Sequence, residues 1–390
     1  MASLVPSLAV ALSTTLLAQG SAAGARGGPA APIRVGLYGS FSLPNNGPAM
    51  RDGARLAADA INEAGGVLGR PLVLVEVDDR GDPGEGLRAA KALVDREKVV
   101  ALLGPSLTIV ADATSSLVNE RRIPEIVAGA TGNAVNELLE AGEDSYVFRF
   151  SLADRIQAAM IVREAIEVRG RRRPAIVYET TRFGEQGRDR LLEALRRRGV
   201  APARVVALAP SGDDAPACVE AARASGADVL LTYAVSGPAA RIVRALEGIG
   251  WRVELVGSWA LSHEGFLRSA GPYAEGAMMP QTFIDSEAAG DEAARFRARW
   301  RARFGTPIGA ASAAAQGYDA LQLLARALQQ AGATDGPSVK AALESLRRPY
   351  DGVTGHHWKP WSSTDHEGIK RGAVLMGVIR GGRVVALPPR

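Results

Sequence analysis

The stretch from residue 33 to residue 83, IRVGLYGSFSLPNNGPAMRDGARLAADAINEAGGVLGRPLVLVEVDDRGDP, decides the fold. It starts with the alternating apolar residues of a β-strand and continues with apolar residues three and four positions apart, the spacing of one helix face. Gly65-Gly66 ends that helix, because glycine readily adopts the left-handed C-cap conformation. Leu72–Val77 is almost continuously apolar, which predicts a parallel strand buried on both faces. The loop Ser40–Gly47 follows the first strand of this βαβ unit, where open α/β sheets bind ligands.

The same alternation of strands and helices continues along the chain. Strand patterns at 99–103 and 126–128 alternate with helical patterns, and consecutive βα units build a doubly wound parallel sheet. The loops 104–108 and 129–132 follow these strands and carry hydroxyls and glycines beside helix N-termini, where an anion can bind. From spacing alone, Thr108 and Thr131 are more simply interpreted as ordinary helix-cap and turn residues.

A second series of βα units follows residue 150, and it predicts a second lobe with the architecture of the first. Its first element is a predicted helix at 153–168, and its strand patterns lie at 175–179, 205–208, 229–233 and 253–256. The remaining chain predicts helices at 287–304, 311–330 and 336–346 and strands at 373–379 and 384–387.

The composition is that of a globular protein with two domains rather than of a nucleic-acid-binding protein. The chain has 390 residues, 47% of them hydrophobic and 23% charged, with a net charge of +4. The largest basic runs, Arg169–Arg173 and Arg196–Arg198, have no interleaved aromatic residues, so we interpret them as solvated faces.

The N-terminus resembles an export signal. Residues 1–25 contain an apolar core that ends in small residues, with candidate cleavage sites at 21–23 and 23–25, and residues 26–32 read as a flexible lead-in. A disordered N-terminus is the alternative interpretation. Cys218 is the only cysteine, so no disulfide is expected, and its helical context predicts a small buried apolar side chain.

The sequence carries no motif for catalysis or for a cofactor. It lacks the phosphate-binding G-x-x-x-x-G-K-[ST], the dinucleotide-binding G-x-G-x-x-G and the G-x-S-x-G nucleophile elbow. His356, His357 and His366 lack metal-ligand spacing on a helix, so we expect no metal site. We therefore predict a protein that is not an enzyme and needs no cofactor.

Six segments occur in an order that resembles the periplasmic solute-binding proteins of ABC importers, in the branch that binds leucine, isoleucine and valine. Each segment is weakly specific alone, but their shared order covers nearly all of the chain after residue 32. They are GPAMRDGARLAADAINEAGGVLGRPLVLVEVDD (47–79), GPSLTIVADATSSL (104–117), VAGAT (127–131), FGEQG (183–187), GYDAL (317–321) and DHEGI (365–369).

The resemblance implies a type I periplasmic binding protein fold, that is, two doubly wound, Rossmann-like lobes joined by a hinge that the chain crosses three times. It places the first lobe at 33–150 and 282–354, and the second lobe at 151–281 and 355–390.

The resemblance also implies a set of ligand-binding residues in the cleft between the lobes. They are Asn46, Thr108, Gly129, Thr131, Phe183, Ser236 and Trp259. Phe183 could instead pack on its own helix, and at the end of its strand either Val235 or Ser236 could make the contact. Tyr318 is expected to pack near the hinge rather than to contact the ligand.

Trp259 occupies the position where amino-acid binders of this family carry an acidic residue for the ligand's ammonium group. A buried ammonium without a counter-charge is unfavourable, whereas an indole offers a flat apolar wall. We therefore expect an aromatic or apolar carboxylate, or an amide, rather than an α-amino acid, unless Glu264 takes the acidic role.

The predicted function is the periplasmic substrate-binding component of an ABC importer. Its expected partners are a small ligand and the permease–ATPase complex, with no nucleic acid and no membrane span after signal cleavage, and we expect a monomer. A periplasmic sensor ectodomain of the same fold is the alternative, and a secreted α/β enzyme is a weaker one. A sugar-repressor relative would carry a helix-turn-helix ahead of the first strand, where this chain has the signal-like segment.

Overall fold

The structure, a computed structural model, describes Met1 and residues 31–132, 136–285 and 290–388. The predicted export signal at 1–25, apart from Met1, lies outside the described residues, as does most of the predicted lead-in at 26–32. None of the helices in the described ranges is both long enough and apolar enough to cross a membrane.

The secondary structure alternates between strands and helices over most of the chain. The strands of the described residues are β1 (Ile33–Gly39), β2 (Leu72–Asp78), β3 (Ala101–Leu103), β4 (Glu125–Val127), β5 (Val147–Arg149), β6 (Pro174–Glu179), β7 (Arg204–Leu208), β8 (Val229–Tyr233), β9 (Glu254–Gly257), β10 (Met278–Gln281), β11 (Tyr350–Gly352), β12 (Gly355–His357), β13 (Leu375–Arg380) and β14 (Arg383–Ala386). The α-helices are α1 (Gly47–Glu63), α2 (Pro83–Asp95), α3 (Thr108–Glu120), α4 (Glu137–Glu140), α5 (Asp154–Val162), α6 (Arg182–Arg196), α7 (Ala215–Ala224), α8 (Ser236–Gly248), α9 (Glu264–Ser269), α10 (Gly290–Phe304), α11 (Ala311–Ala331) and α12 (Gly336–Glu344).

The first sheet contains five parallel strands in the order β2-β1-β3-β4-β5. Its core also contains residues of α10, α11 and α12, so the chain returns to this sheet late in the sequence. α1 and α11 cross closely, because Gly53 and Gly317 leave no side chain at the contact. A Cβ atom at Gly53 would lie 1.9 Å from the Ala314 carbonyl oxygen, and one at Gly317 would lie 2.2 Å from that of Met50.

The second sheet contains seven strands in the order β14-β13-β10-β9-β8-β6-β7. The strands from β6 to β10 are parallel, and β13 and β14 are added antiparallel at one edge. Together the two sheets confirm the predicted doubly wound α/β fold.

The path of the chain alternates between the two sheets. It leaves the first sheet after β5, returns to it after β10, and rejoins the second sheet at β13. The lobe limits at 150, 281 and 354 remain predictions.

Three details of the secondary structure differ from the sequence analysis. β2 is an edge strand, mostly half-buried, with Val73 41% exposed, so the expectation of burial on both faces is wrong. The helix predicted from 153 is α-helical only to Val162 and continues as a π-helix over Arg163–Val168. β5 and β10, with three and four residues, are strands that the sequence analysis did not predict.

Candidate ligand-binding site

A cavity of about 290 Å³ lies at the carboxyl ends of the two sheets. Its lining residues from the first-sheet side are Asn45, Asn46, Gly81, Ser106, Leu107, Thr108, Ile109, Gly129, Ala130 and Thr131. Its lining residues from the second-sheet side are Glu179, Thr181, Arg182, Phe183, Val235, Trp259, Ala260 and His263. Six of the seven predicted contact residues are therefore brought together, and Ser236 is the exception.

Thr108 lies at the N-terminus of α3, directly on the cavity. It is the first helical residue rather than the cap, and the cap residue Leu107 has no side-chain oxygen to accept the first N–H groups. The first N–H groups of a helix lack intrahelical partners and carry partial positive charge. The Thr108 hydroxyl oxygen accepts from the Gly132 N–H at 3.3 Å, so its own hydrogen remains available to a ligand.

Asn46, at the end of the β1–α1 loop, is hydrogen-bonded to the loops that contain Ser106 and Gly129. Its side-chain amide donates to the carbonyl oxygens of Ser106 at 3.0 Å and Gly129 at 3.1 Å, and the side chain is buried. Gly129 permits this close approach, because a Cβ atom there would lie 2.8 Å from the Ser106 Cα. Asn46 thus holds the shape of the cavity and retains only its amide oxygen for a ligand.

Thr131 connects the cavity to a buried ionic network. Its carbonyl oxygen accepts from the Asp154 N–H at 3.0 Å and from Arg149 Nη1 at 3.1 Å, and Arg149 pairs with Glu367 at 3.0 Å. Burial raises the pKa of Asp154 to about 6, and the nearby Thr131 hydroxyl opposes that rise. Glu367 belongs to the DHEGI segment, so this sequence motif supports the floor of the cavity.

Two aromatic residues form the apolar wall of the cavity on the second-sheet side. Phe183 packs against Tyr233 with ring centroids 4.8 Å apart, and Trp259 is 2% exposed. Trp259 is held by its backbone N–H, which donates to Gln157 Oε1 at 2.9 Å. Both rings line the cavity, and their role as a sandwich for a ligand ring remains a prediction.

Ser236 lies behind the cavity wall, and Val235 lines the cavity in its place. α8 begins at Ser236, whose hydroxyl lies 3.3 Å from Nδ1 of His263. Because the side chain pairs with this imidazole, Ser236 supports a lining residue instead of lining the cavity itself.

Glu179 and His263 line the cavity although the sequence analysis did not single them out. Glu179 is fully buried, its Oε1 accepts from the Thr181 hydroxyl at 2.7 Å, and burial raises the pKa of its carboxyl. Burial lowers the pKa of His263 to about 3, so the imidazole is neutral at physiological pH. The sequence could have indicated Glu179 as a lining residue, because it is the last residue of a parallel strand. It gave no such indication for His263, which lies in an irregular segment.

The two further candidates of the sequence analysis lie outside the cavity. Glu264 pairs with Arg268 and is about half exposed. Tyr318 is buried, stacks edge-on against Phe296 at 5.2 Å and donates to Glu292 at 3.4 Å, which agrees with a packing role.

The residues considered for metal or thiol chemistry are engaged in structural contacts. His366 Nδ1 lies 2.8 Å from the Val147 carbonyl oxygen, and His357 Nε2 lies 2.9 Å from the Thr354 hydroxyl. Within the described ranges, no group of three or more His, Cys, Asp or Glu side chains could hold a metal ion. Cys218 is buried as predicted, and burial raises the pKa of its thiol to about 11.

Elements of the two sheets touch at the rim of the cavity. Arg182 at the start of α6 donates to Asp112 of α3 at 3.0 Å. Gly265 of α9 lies against Pro44, since a Cβ atom there would come within 2.4 Å of the Pro44 carbonyl oxygen. Elements of both sheets therefore meet beside the cavity.

Two α/β lobes that enclose a small cavity between their strand ends define a solute-binding protein. Residues 32–382 match the family described as periplasmic binding protein, and the chain belongs to this family. Its fold is the type I fold of that family.

Similar proteins carry names that agree with this assignment. The chain is 24% identical to the Leu/Ile/Val-binding protein homolog 3 of Brucella melitensis, over 83% of this chain and 86% of that protein. The isoleucine complex of the branched-chain amino acid transporter substrate binding protein LivJ from Streptococcus pneumoniae has a TM-score of 0.79 at 22% identity, covering 91% of this chain and 98% of that chain. The benzoate complex of an ABC transporter solute binding protein from R. palustris has a TM-score of 0.77 at 22% identity, covering 91% of this chain and 95% of that chain.

Proposed function

We propose that this protein captures a small carboxylate or amide solute outside the cytoplasm and delivers it to the permease of an ABC importer. The observation that carries the proposal is the cavity between the ends of the two sheets, with the N-terminus of α3 and Thr108 on one side and Phe183 and Trp259 on the other. The relatives reported above are named as binding proteins, which supports a function in binding rather than in catalysis. We further propose a periplasmic location and a monomeric state.

The anionic end of the ligand binds at the first-sheet side. Uncapped N–H groups at the start of α3 and the hydrogen of Thr108 are donors that a carboxylate or an amide oxygen accepts. A charged acceptor makes these hydrogen bonds stronger than a neutral one does.

The remainder of the ligand is aromatic or apolar rather than an ammonium-bearing α-carbon. Trp259 lines the cavity where an acidic residue would be needed, and Glu264 lies outside it. Glu179 is the only carboxyl among the described lining residues; it is fully buried, burial raises its pKa, and its Oε1 already accepts from the Thr181 hydroxyl. Benzoate and isoleucine are the ligands of the two similar structures, and they represent the two chemistries to be distinguished.

Capture proceeds by closure of the two lobes around the ligand. The contacts between Arg182 and Asp112 and between Gly265 and Pro44 form only when the lobes meet. Closure is selective, because a buried polar group left unpaired costs about 1–3 kcal/mol. The closed form then presents surfaces of both lobes together to the permease.

A thermal-shift screen of amino acids, amides and aromatic acids, followed by calorimetry, tests this function. We expect micromolar or tighter binding of benzoate or of a short amide, and none of leucine or valine. Binding of leucine or valine alone would contradict the proposed ligand class. Failure of every solute in the screen to bind would contradict the proposed function itself.

A further inference from the structure

Asp154 is a fully buried residue that is hydrogen-bonded to residues behind both walls of the cavity. It is the first residue of α5, the helix that follows β5 along the chain. Its backbone N–H donates to the Thr131 carbonyl oxygen at 3.0 Å, and its Oδ1 accepts from the Tyr233 hydroxyl at 2.7 Å and from Gln157 Nε2 at 3.3 Å. Asp154, Gln157 and Tyr233 are not among the described lining residues, so they act on a ligand through the residues that they hold.

The hydrogen bond to Tyr233 supports the ring of Phe183. The Tyr233 ring packs against Phe183 with centroids 4.8 Å apart. It also packs against α6, because a Cβ atom at Gly187 would lie 1.9 Å from Tyr233 Cδ1. With its ring packed in this way and its hydroxyl bonded to Asp154, Tyr233 is held at both ends, and Phe183 rests on it.

The hydrogen bond to Gln157 supports the backbone of Trp259. Gln157 Oε1 accepts from the Trp259 N–H at 2.9 Å, and Gln157 Nε2 donates to the Leu152 carbonyl oxygen at 2.9 Å as well as to Asp154. A rotated amide would place its NH₂ group against the Trp259 N–H and its oxygen against two acceptors, so only the observed orientation satisfies all partners. The Asp154 carboxyl therefore helps to orient the amide that holds Trp259.

The first-sheet wall depends less on the Asp154 carboxyl. The Thr131 carbonyl oxygen accepts from the backbone N–H of Asp154 and from Arg149 Nη1 at 3.1 Å, and neither bond uses the carboxyl. The Thr131 hydroxyl does lie beside the carboxyl, so its replacement should change the affinity for every carboxylate to a similar small extent. The larger effect should fall on the aromatic wall.

We propose that Asp154 is a positioning residue, which holds Phe183 and Trp259 in the arrangement that selects a flat ring and does not itself touch the ligand. This inference rests on the proposed function, in which the two aromatic residues contact an aromatic acid. The affinity for a flat acid then depends on the Asp154 carboxyl, whereas the affinity for a non-flat acid of the same size depends on it much less.

Calorimetry with benzoate and cyclohexanecarboxylate tests the inference, because the two acids share a carbon skeleton and a carboxylate and differ in flatness. The unaltered protein should bind benzoate more tightly, by roughly two- to tenfold for each ring contact. Asp154→Ala should bring this affinity ratio close to one. Asp154→Asn should retain most of the ratio, because its amide oxygen can still accept from Tyr233 and Gln157.

Asp319→Ala is the matched control for a general loosening of the fold. Asp319 is also fully buried, and its Oδ1 also accepts from a tyrosine hydroxyl, that of Tyr350 at 2.6 Å, but it is not among the described lining residues. Its replacement should lower the unfolding temperature and leave the affinity ratio unchanged.

A second variant keeps the inference testable if Asp154→Ala does not fold, which thermal unfolding shows. Tyr233→Phe removes only the hydroxyl that donates to Asp154 and keeps the ring against Phe183. It should lower the affinity ratio in the same direction. In folded proteins the effects of Asp154→Ala and Tyr233→Phe should not add, because both remove the same hydrogen bond.

The outcomes separate this inference from the proposed function. Equal affinity of the unaltered protein for the two acids would overturn the inference and leave the proposed function standing. So would an unchanged ratio in folded Asp154→Ala, or in Tyr233→Phe if Asp154→Ala does not fold, and so would an equal fall of the ratio in Asp319→Ala. A ratio in Asp154→Asn as low as in Asp154→Ala would contradict the role of these hydrogen bonds. If neither acid binds while another solute does, the inference falls with the ligand class, and if no solute binds, the proposed function falls as well.

Discussion

At the scale of single residues, the two cavity threonines differ in which atoms they offer to a ligand. Thr108 accepts through its oxygen from the Gly132 N–H and can donate its hydrogen, whereas Thr131 has a carboxyl, that of Asp154, beside its hydroxyl. A carboxylate acceptor attracts the hydrogen of a neighbouring hydroxyl. Thr108 is therefore the better donor to an anionic ligand, a distinction that the sequence analysis did not make.

We predict that Thr108→Val weakens benzoate binding more than Thr131→Val does. Losing one hydrogen bond to a charged group costs about 1.5–3 kcal/mol, or roughly ten- to a hundredfold in affinity. Calorimetry provides the measurement, with Ser115→Ala as the control, because Ser115 is on α3 with its hydroxyl bonded to the Asp112 carbonyl oxygen. Unchanged affinity in both threonine variants would refute the assignment of this wall as the anion site.

The residues at strand ends were the part of the site that the sequence could predict. Thr108 and Trp259 follow strands with clear apolar patterns, and in a parallel sheet such positions share one edge. His263 and the choice between Val235 and Ser236 depend on where short turns end and on which way a side chain rotates. Such details arise from tertiary packing rather than from a periodic pattern.

At the scale of secondary-structure elements, a buried network of polar side chains joins β1, β4 and α3. The Tyr38 hydroxyl contacts Glu125 and also Thr114 at 3.0 Å, and the Thr114 hydroxyl lies 3.1 Å from the Val110 carbonyl oxygen. Burial raises the pKa of Glu125 to about 8. A protonated Glu125 can donate to the Tyr38 hydroxyl, which then donates to the Thr114 hydroxyl. The neutral carboxyl therefore satisfies the hydrogen bonds of this network.

The Glu125 carboxyl in this network should make folding stability depend on pH. The pKa of Glu125 is about 8 in the folded protein and 4.5 in the unfolded chain, so the folded state binds the extra proton between these values. Its contribution to the unfolding free energy is present below about pH 4.5 and is lost as the pH rises to about 8. Inside this window the slope approaches about 1.4 kcal/mol per pH unit.

Urea denaturation of the unaltered protein and of Glu125→Gln across this pH range measures the effect. The unaltered protein should lose stability relative to the variant as the pH rises, because glutamine cannot ionise. Asp79, Asp154 and Asp319, whose pKa burial also raises to about 6, are common to both proteins and cancel in the difference. A difference that stays constant with pH would contradict the neutral state of Glu125.

The elements themselves show where sequence patterns fail. The apolar pattern of the sequence predicted the bounds of β8 correctly, because an apolar run of five residues lies between polar turns. It misjudged β2, because a continuous apolar run is typical of a central strand and carries no information about the order of strands. Sheet order depends on contacts between distant segments, such as the late return of α11 to α1.

At the scale of the whole molecule, two contacts join elements of the two sheets at the rim of the cavity, and the proposed capture requires them to form on closure. Arg182 and Asp112 are partly exposed, so their ion pair contributes little stability and is weakened by salt. The contact between Gly265 and Pro44 is steric and leaves no space for a side chain. The tightness of closure therefore depends more on the shape of the rim than on its charges.

We predict that Gly265→Ala weakens ligand binding without destabilising the ligand-free protein. The added Cβ atom would lie 2.4 Å from the Pro44 carbonyl oxygen in the closed form, and overpacking of this kind costs typically about 1–3 kcal/mol. That cost corresponds to roughly five- to a hundredfold in affinity. In an open form the two segments separate, and alanine is a better helix residue than glycine within α9.

Calorimetry with benzoate and thermal unfolding without ligand measure the two effects, and Gly237→Ala is the matched control, because a Cβ atom at Gly237 of α8 has no neighbour within 4 Å. If Gly265→Ala binds as tightly as Gly237→Ala, closure at this rim is not required for capture. If its unfolding temperature falls without ligand, the two segments already touch in the ligand-free protein.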